Sequence, residues 1–450
     1  MSRLKSMLAL LAAAATALCI TTNATRAAGT HDGEQLLPVL TYRTGPYAPS
    51  GIPFIGGLLD YIRYTNEVQG GVNGVKIYPA ECETAWTIER GIECYERLKR
   101  GYDGAPTAFL YPHSSALDAA LLDKARLDRV VVTQPGGGQA FALDGRVFPY
   151  SFPLLFDYWS EASIIVKYLA DQYGGFDKLK GVKLATLYHD SGYGRDTIEP
   201  LKILSEKYGF IDIQIPVPHP GEQQQAQWQR IKQEGADWVF LRGWGVMTPV
   251  AIKTAARVGF PADHIIGDIW SGSEDDTRPA GAAAKGYLAA SLFPPGTQFP
   301  ILQTLKAKIL DANKSDLKDT SKFGTVYYNF GVIEGIIAVE ILRAGQAKFG
   351  NRPLNNEEGR WAVEHLDITE ARLDAIGAKG LLAPLQVSWT DHEGGAAAKI
   401  QQWTGTEWKA VTGWIPGDRS LFRDALQQKA ADYAKEKGFA LRTSDAAPGG

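Results

Sequence analysis

Residues 182–217 read "VKLATLYHDSGYGRDTIEPLKILSEKYGFIDIQIPV". An apolar run, Val182–Tyr188, reads as a strand. Arg195–Tyr208 carries helical spacing, and Ile211–Val217 reads as the next strand. Two strands separated by a helix pair in parallel, because only a crossover of this length returns the chain to the same sheet edge. The pattern continues downstream with a helix over Gln223–Glu234, strand "DWVFL" (237–241), a helix over Val246–Val258 and strand "DHIIGDIW" (263–270). Alternation of this kind defines an α/β chain built on parallel sheet covered on both faces.

Upstream lies a first series. Strand "LLPVLTY" (36–42) is followed by loop "RTGPYAPSGIP" (43–53) and a helix from Phe54 that places Ile55, Leu58, Leu59 and Ile62 on one face. Val75–Ala80 is the next strand, Ala85–Arg100 the next helix, with Ile88, Ile92, Tyr95 and Leu98 aligned. Strand "TAFLY" (107–111), helix Ser115–Lys124 and strand "RVVVT" (129–133) complete the series. The connection "LDGRVFPYSFPL" (143–154) then leads into a long helix, Tyr158–Tyr173, so the break falls near Phe152–Pro153. Two series with one break predict two doubly wound lobes. The last third is less regular: a strong helix over Phe323–Leu342, a second from Asn356, short strands within "PLQVSWT" (384–390) and "KIQQWTGTEWKAV" (399–411), and a helix over Arg419–Lys437. The tail "SDAAPGG" (444–450) is predicted to be disordered.

The beginning of the chain reads as a secretory signal peptide. Arg3 and Lys5 precede the apolar run Met7–Ile20, and small residues follow in "NATRAAG" (23–29). Export predicts a periplasmic, soluble product. Cys19 leaves with that segment, which leaves Cys82 at a strand end and Cys94 on the following helix. In an oxidising compartment these two are expected to form a disulfide. A net charge of -3 gives no bulk signal for nucleic acid.

Catalytic signatures are missing. No G-x-S-x-G, H-E-x-x-H or G-x-x-x-x-G-K-[ST] motif occurs, no two histidines take helical metal spacing, and no cofactor or metal is expected. His189-Asp190 sits where ligands bind in open α/β sheets, at a strand's carboxyl end, and is read as lining a cleft. "VVVTQPGGGQAF" (130–141) runs a strand into three glycines, yet neither a Lys nor a helix follows to meet a phosphate. "GWGVMT" (243–248) reads as a tight strand-to-helix turn.

Taken in order, these motifs resemble the type I periplasmic solute-binding proteins, in the branch of the leucine/isoleucine/valine-binding proteins of ABC importers. "TGPYAPSGIPFIGGLLDYIRYTNEVQGGVNGVKI" (44–77) is similar to that family's opening. "LYPHSSAL" (110–117), "VVVTQPGGG" (130–138), "LYHDSGYGRDTIEPLK" (187–202) and "ADWVFLRGWGVMTPVAIKTAARVGF" (236–260) resemble its later strand-end segments.

The resemblance implies two lobes joined by a three-strand hinge, closing on a small molecule that passes to ABC permease subunits at the inner membrane. It implies residues 29–153 plus 287–377 in lobe 1, 154–286 plus 378–415 in lobe 2, and 416–450 as a terminal helix and tail. A monomer with no enzymatic activity is expected; a sensor of the same fold and a secreted hydrolase are the alternatives.

For the site, the resemblance implies Tyr47 and Ser50 from the first loop, and His113, Ser114 and Ser115 from the third. It adds main-chain donors at Gly136, Gly137 and Gly138, and Tyr193, Trp244, Asp268 and Trp270 from the second lobe. Gly138 stands where amino-acid binders carry a Thr. The "IGDIWSG" segment (266–272) places Ile269 or Trp270 where they carry an acid, with Asp268 adjacent. Unless Asp268 turns inward, an ammonium would be buried without a counter-charge. The residues favour a flatter, more apolar solute that need not be zwitterionic, with a branched-chain amino acid and an aromatic or other organic molecule both left open.

Overall fold

The computed structural model describes residues 29–446. The signal peptide expected at residues 1–28 and the tail's end, residues 447–450, lie outside the described residues.

The first sheet forms from β1 (Gln35–Thr41), β2 (Ile77–Glu83), β3 (Val132–Thr133) and β4 (Ser151–Phe152). β1 and β2 are parallel from Gln35–Ile77 to Thr41–Glu83. On the other side of β1, residues 107–111 align in parallel through the Leu36–Thr107 and Val39–Tyr111 bridges. This segment joins β3 through Leu110–Val132, and β3 pairs in parallel with β4. The expected strand over 107–111 is therefore present, as bridges and not as a continuous ladder. Helices α1 (Ala48–Glu67), α2 (Ile88–Leu98) and α3 (Ser115–Asp128) connect these strands. α1 begins six residues before the expected Phe54 because Pro49 sits in its first turn, where a missing N–H costs nothing.

The second sheet has eight strands. After α4 (Tyr158–Tyr173) come β5 (Lys183–His189), α5 (Ile198–Tyr208), β6 (Ile211–Val217), α6 (Gln225–Glu234) and β7 (Trp238–Arg242). α7 (Met247–Val258), β8 (Ile265–Gly267) and β9 (Leu288–Ser291) follow. The spatial order β6-β5-β7-β8-β9 is parallel throughout. Burial explains the sequence pattern: every residue of central β7 is buried, whereas edge strand β6 alternates.

From β9 the chain returns to the first lobe as α8 (Val326–Phe349) and α9 (Asn356–Glu364). α8 crosses α1 so closely that a Cβ on Gly57 would overlap the Tyr328 carbonyl, and one on Gly331 the Phe54 carbonyl. The chain then crosses again to β10 (Ala397–Trp403), which runs antiparallel to β9 and pairs with β11 (Trp408–Ala410) and β12 (Ile415–Pro416). With the passage after β4, this makes three crossings between the sheets. The last helix, α10 (Arg423–Lys437), touches both sides: Tyr433 donates to Asp123 at 2.7 Å, and Lys429 pairs with Glu199 at 2.6 Å.

Cys82 and Cys94 are joined in a disulfide, with Cα atoms 5.8 Å apart. α2 starts at Ile88, not at the expected Ala85. Ala85 and Trp86 take left-handed backbone at φ 48° and 63°, which no helix contains. The Glu83 carboxylate imposes this turn by accepting from the backbone N–H groups of Ala85 (2.8 Å) and Arg43 (2.9 Å) and from the hydroxyls of Thr41 and Thr44 (both 2.9 Å).

Candidate functional site

Ligands in open parallel sheets bind beyond the carboxyl ends of the strands. Here both sheets aim those ends at one cavity of about 650 Å³. From the first lobe come Tyr42 and Tyr47 after β1, Trp86 and Thr87 after β2, His113 and Ser114 before α3 and Ser115 at its first position, Gln134 and Gln139 after β3, Phe54 of α1 and Phe330 of α8. The second lobe contributes Tyr158 of α4, residues 189–193 after β5, His219 after β6, Trp244 after β7 and Trp270 after β8.

Aromatic rings close the cavity across the lobes. Trp86 stacks on Trp244 with centroids 5.5 Å apart and planes inclined by 25°, and Tyr47 lies 5.5 Å from the same Trp244 ring. Trp244 meets Trp270 edge-on at 5.3 Å, and Trp270 meets Phe330 at 5.5 Å. The polar wall is made of hydroxyls. Trp270 Nε1 donates to Tyr158 Oη at 3.1 Å, and Tyr158 Oη lies 3.2 Å from Ser115 Oγ. Indole is donor-only, so Tyr158 accepts there. One proton then serves the Tyr158–Ser115 bond, leaving the other hydroxyl of that pair a donor. Ser114 Oγ caps α3 by accepting from Leu117 N.

The histidines are tied down. His113, at φ 54°, bonds Leu40 O through Nδ1 (2.9 Å) and the buried Glu334 carboxylate through Nε2 (2.8 Å). Burial pushes Glu334 up, and His113 opposes that shift. His189 bonds Ser191 Oγ and His219 Nδ1, both at 2.9 Å. Burial, with His219 beside it, holds His189 below the usual histidine range. Ser191 Oγ also accepts from the Gly194 N–H, which ties it into the turn after β5. Among the described residues no group of three or more His, Cys, Asp or Glu side chains could hold a metal ion.

Of the residues expected from sequence, Tyr47, His113, Ser114, Ser115, Tyr193, Trp244 and Trp270 all line the cavity, as do His189 and Asp190. The others do not line it. Ser50 Oγ donates to Tyr47 O inside the first turn of α1. Gly136 N donates to Leu154 O at 3.0 Å, so that N–H is not a free donor. Gly137 backs onto the Tyr158 and Ser115 hydroxyls, and Gly138 onto Pro153 and Asp118. The glycine loop thus supports the hydroxyl wall from behind.

Asp268 is turned away, into a fully buried network with Arg242 and Glu161. Arg242 Nη1 lies 2.6 Å from Glu161 Oε2 and 3.2 Å from Asp268 Oδ2, and Nη2 donates to Tyr193 O at 2.7 Å. Tyr193 Oη bonds Asp268, and Gly243 O lies 2.9 Å from the same hydroxyl. Burial raises both carboxyls, and Arg242 pulls them back.

Trp86, Tyr158, Gln134, Gln139, Phe330, Glu161 and Arg242 were not singled out from sequence. Gln134 and Gln139 flank the glycine loop, so that loop's position was their signal. Glu161 and Arg242 carry none, being 81 positions apart.

Two parallel-sheet lobes with a shared aromatic cleft define a two-lobed solute-binding protein. Residues 34–409 match the family model described as periplasmic binding protein, and the chain belongs to that family. Proteins of this family are solute receptors, not enzymes. No curated protein sequence matches. A solved structure from the Pseudomonas fluorescens group, named an ABC transporter permease, is 55% identical, with TM-score 0.89, covering 91% of this chain and 99% of that one. A Thermus thermophilus branched-chain amino acid ABC transporter with bound valine is 20% identical (TM-score 0.70, 87% and 99% covered). An R. palustris ABC transporter solute-binding protein in complex with benzoate is 16% identical (TM-score 0.66, 86% and 98% covered). These last two likenesses show the fold. Despite the name of the first, no described helix of this chain is long and apolar enough to cross a membrane.

Proposed function

We propose that the chain is the periplasmic receptor of an ABC-type importer. It closes two lobes over a small organic molecule and delivers that molecule to permease subunits at the inner membrane. The observation that carries this reading is the single cavity walled by strand-end loops of both sheets and shut by Trp86 and Tyr47 against Trp244. Hinged closure of two lobes buries a ligand in this way. The names of the structural neighbours, one with valine and one with benzoate, support a small organic solute.

Tyr47, His113, Ser114, Ser115, Tyr193, Trp244 and Trp270 are the proposed ligand contacts. The aromatic rings take the apolar body, and the Ser114 hydroxyl together with the free donor of the Ser115–Tyr158 pair takes an acceptor on the solute. A thermal-shift screen over amino acids, aromatic acids, amides and alcohols tests the reading. A solute at 100 times its Kd adds about 2.7 kcal/mol to apparent stability. No upward shift with any solute class would overturn it.

A further inference from the structure

We infer that Arg242 sets the sign of charge this site accepts, and that the solute is an aromatic molecule without an ammonium group. The inference rests on the receptor reading and names its solute class.

The Arg242 guanidinium lies behind the cavity wall, 4.2 Å from the Tyr158 ring centroid and 4.4 Å from that of Tyr193. Both rings line the cavity. A ring's negative face attracts cations, and here the protein supplies the cation itself. A second cation arriving in the cavity finds the faces of these two rings engaged and the Glu161 and Asp268 carboxylates behind them already paired with Arg242.

The acids are engaged as well. Asp268 and Glu161 are held by Arg242, and Glu334 by His113. Asp190, on the cavity rim, pairs with Arg195 at 2.6 Å. Each of these four carboxylates thus has a cationic or histidine partner on the protein, and Asp190 is the one carboxylate among the described residues that line the cavity. A buried ligand ammonium would find none of them free, and an unpaired buried charge is among the costliest groups a closed site can hold. An aromatic body meets the opposite situation. Trp270, Trp244 and Phe330 give it ring faces and edges.

Isothermal titration of 3-phenylpropanoate against L-phenylalanine tests this, since the two differ by one ammonium. The wild-type protein is expected to bind 3-phenylpropanoate at least about tenfold tighter. In the Glu161→Gln/Arg242→Gln double variant two buried charges become amides. Asp268 is then free to answer a ligand cation, and the preference is expected to fall by about tenfold. If that variant loses its cooperative melt, benzyl alcohol against benzylamine on the wild type carries the test, with the alcohol expected to bind tighter.

Equal or tighter wild-type binding of L-phenylalanine or benzylamine overturns the inference, as does an unchanged preference in the folded variant. Binding of aliphatic solutes with no aromatic probe bound also overturns it, while the receptor reading stands. That reading fails separately, if no solute raises the melting temperature.

Discussion

Removing the Cys82–Cys94 disulfide tests how the loop after β2 is held. The bond closes a loop with a sequence separation of 12. For that separation the chain-entropy relation gives about 2.8 kcal/mol of stabilisation at about 25 °C. The same loop carries Ala85 and Trp86 in left-handed backbone, a conformation that costs roughly 1–3 kcal/mol per residue outside glycine. The covalent tie and the Glu83 hydrogen bonds together keep that strained turn in place. A Cys82→Ser/Cys94→Ser variant should therefore show two effects. Stability should drop by about 2.8 kcal/mol, read from urea denaturation followed by circular dichroism. Solute affinity should weaken by roughly three- to tenfold, read by titration, because Trp86 loses the fixed position from which it stacks on Trp244. Adding reductant to the wild type should reproduce the stability change and leave the variant untouched. A loss below about 1 kcal/mol would refute the reasoning, because the bond would then not be restraining the unfolded loop. Full loss of stability with unchanged affinity would refute the link between this tie and the cavity.

Three further outcomes follow from the packing. Asp118 is fully buried with one oxygen unpartnered, and burial pushes its carboxyl up to about 7. Its folded value lies above its unfolded one, so its contribution is fully present below about pH 4 and lost as pH rises to about 7. Asp118→Asn should flatten that fall and gain at most about 4 kcal/mol at pH 8, measured by urea titration across pH. Gly57→Ala or Gly331→Ala, each placing a methyl on a facing carbonyl where α1 crosses α8, should cost about 1–3 kcal/mol in the same assay. Trp244→Ala removes the ring shared by Tyr47, Trp86 and Trp270 and should raise solute Kd by roughly 30-fold, with little change in the far-ultraviolet spectrum.

Much of the architecture was legible because parallel strands buried on both faces leave continuous apolar runs, and helices between them leave a 3.6-residue period. The strand at Lys183–His189 and the helix at Tyr158–Tyr173 stand almost where the sequence places them. Strand ends also locate the cleft, which is how His189 and Asp190 were reached, while Ser114, Ser115, Tyr193 and Trp244 came from the family resemblance. Trp86 was hidden for a physical reason. Its turn is forced by Glu83 bonding to Thr41, Arg43 and Thr44, partners about 40 positions away, and nothing local announces left-handed backbone at Ala85 and Trp86. The glycines misled in the opposite sense. Their freedom was visible, but whether an N–H faces a ligand or a neighbouring strand depends on Leu154, which takes the Gly136 N–H.

Asp268 sharpens the point, because its position could be read and its role could not. The sequence places an acid beside the second-lobe cleft, where it could answer a ligand's ammonium. Its meaning depends on Arg242, at the end of β7, and Glu161, in the helix that enters the second lobe. These two meet Asp268 only once the sheet and that helix pack together. An acid with a buried arginine against it no longer seeks a cation, and the arginine lends its charge to the rings in front of it. On the proposal above, the solute class follows from this pairing behind the wall together with the rings that line the cavity.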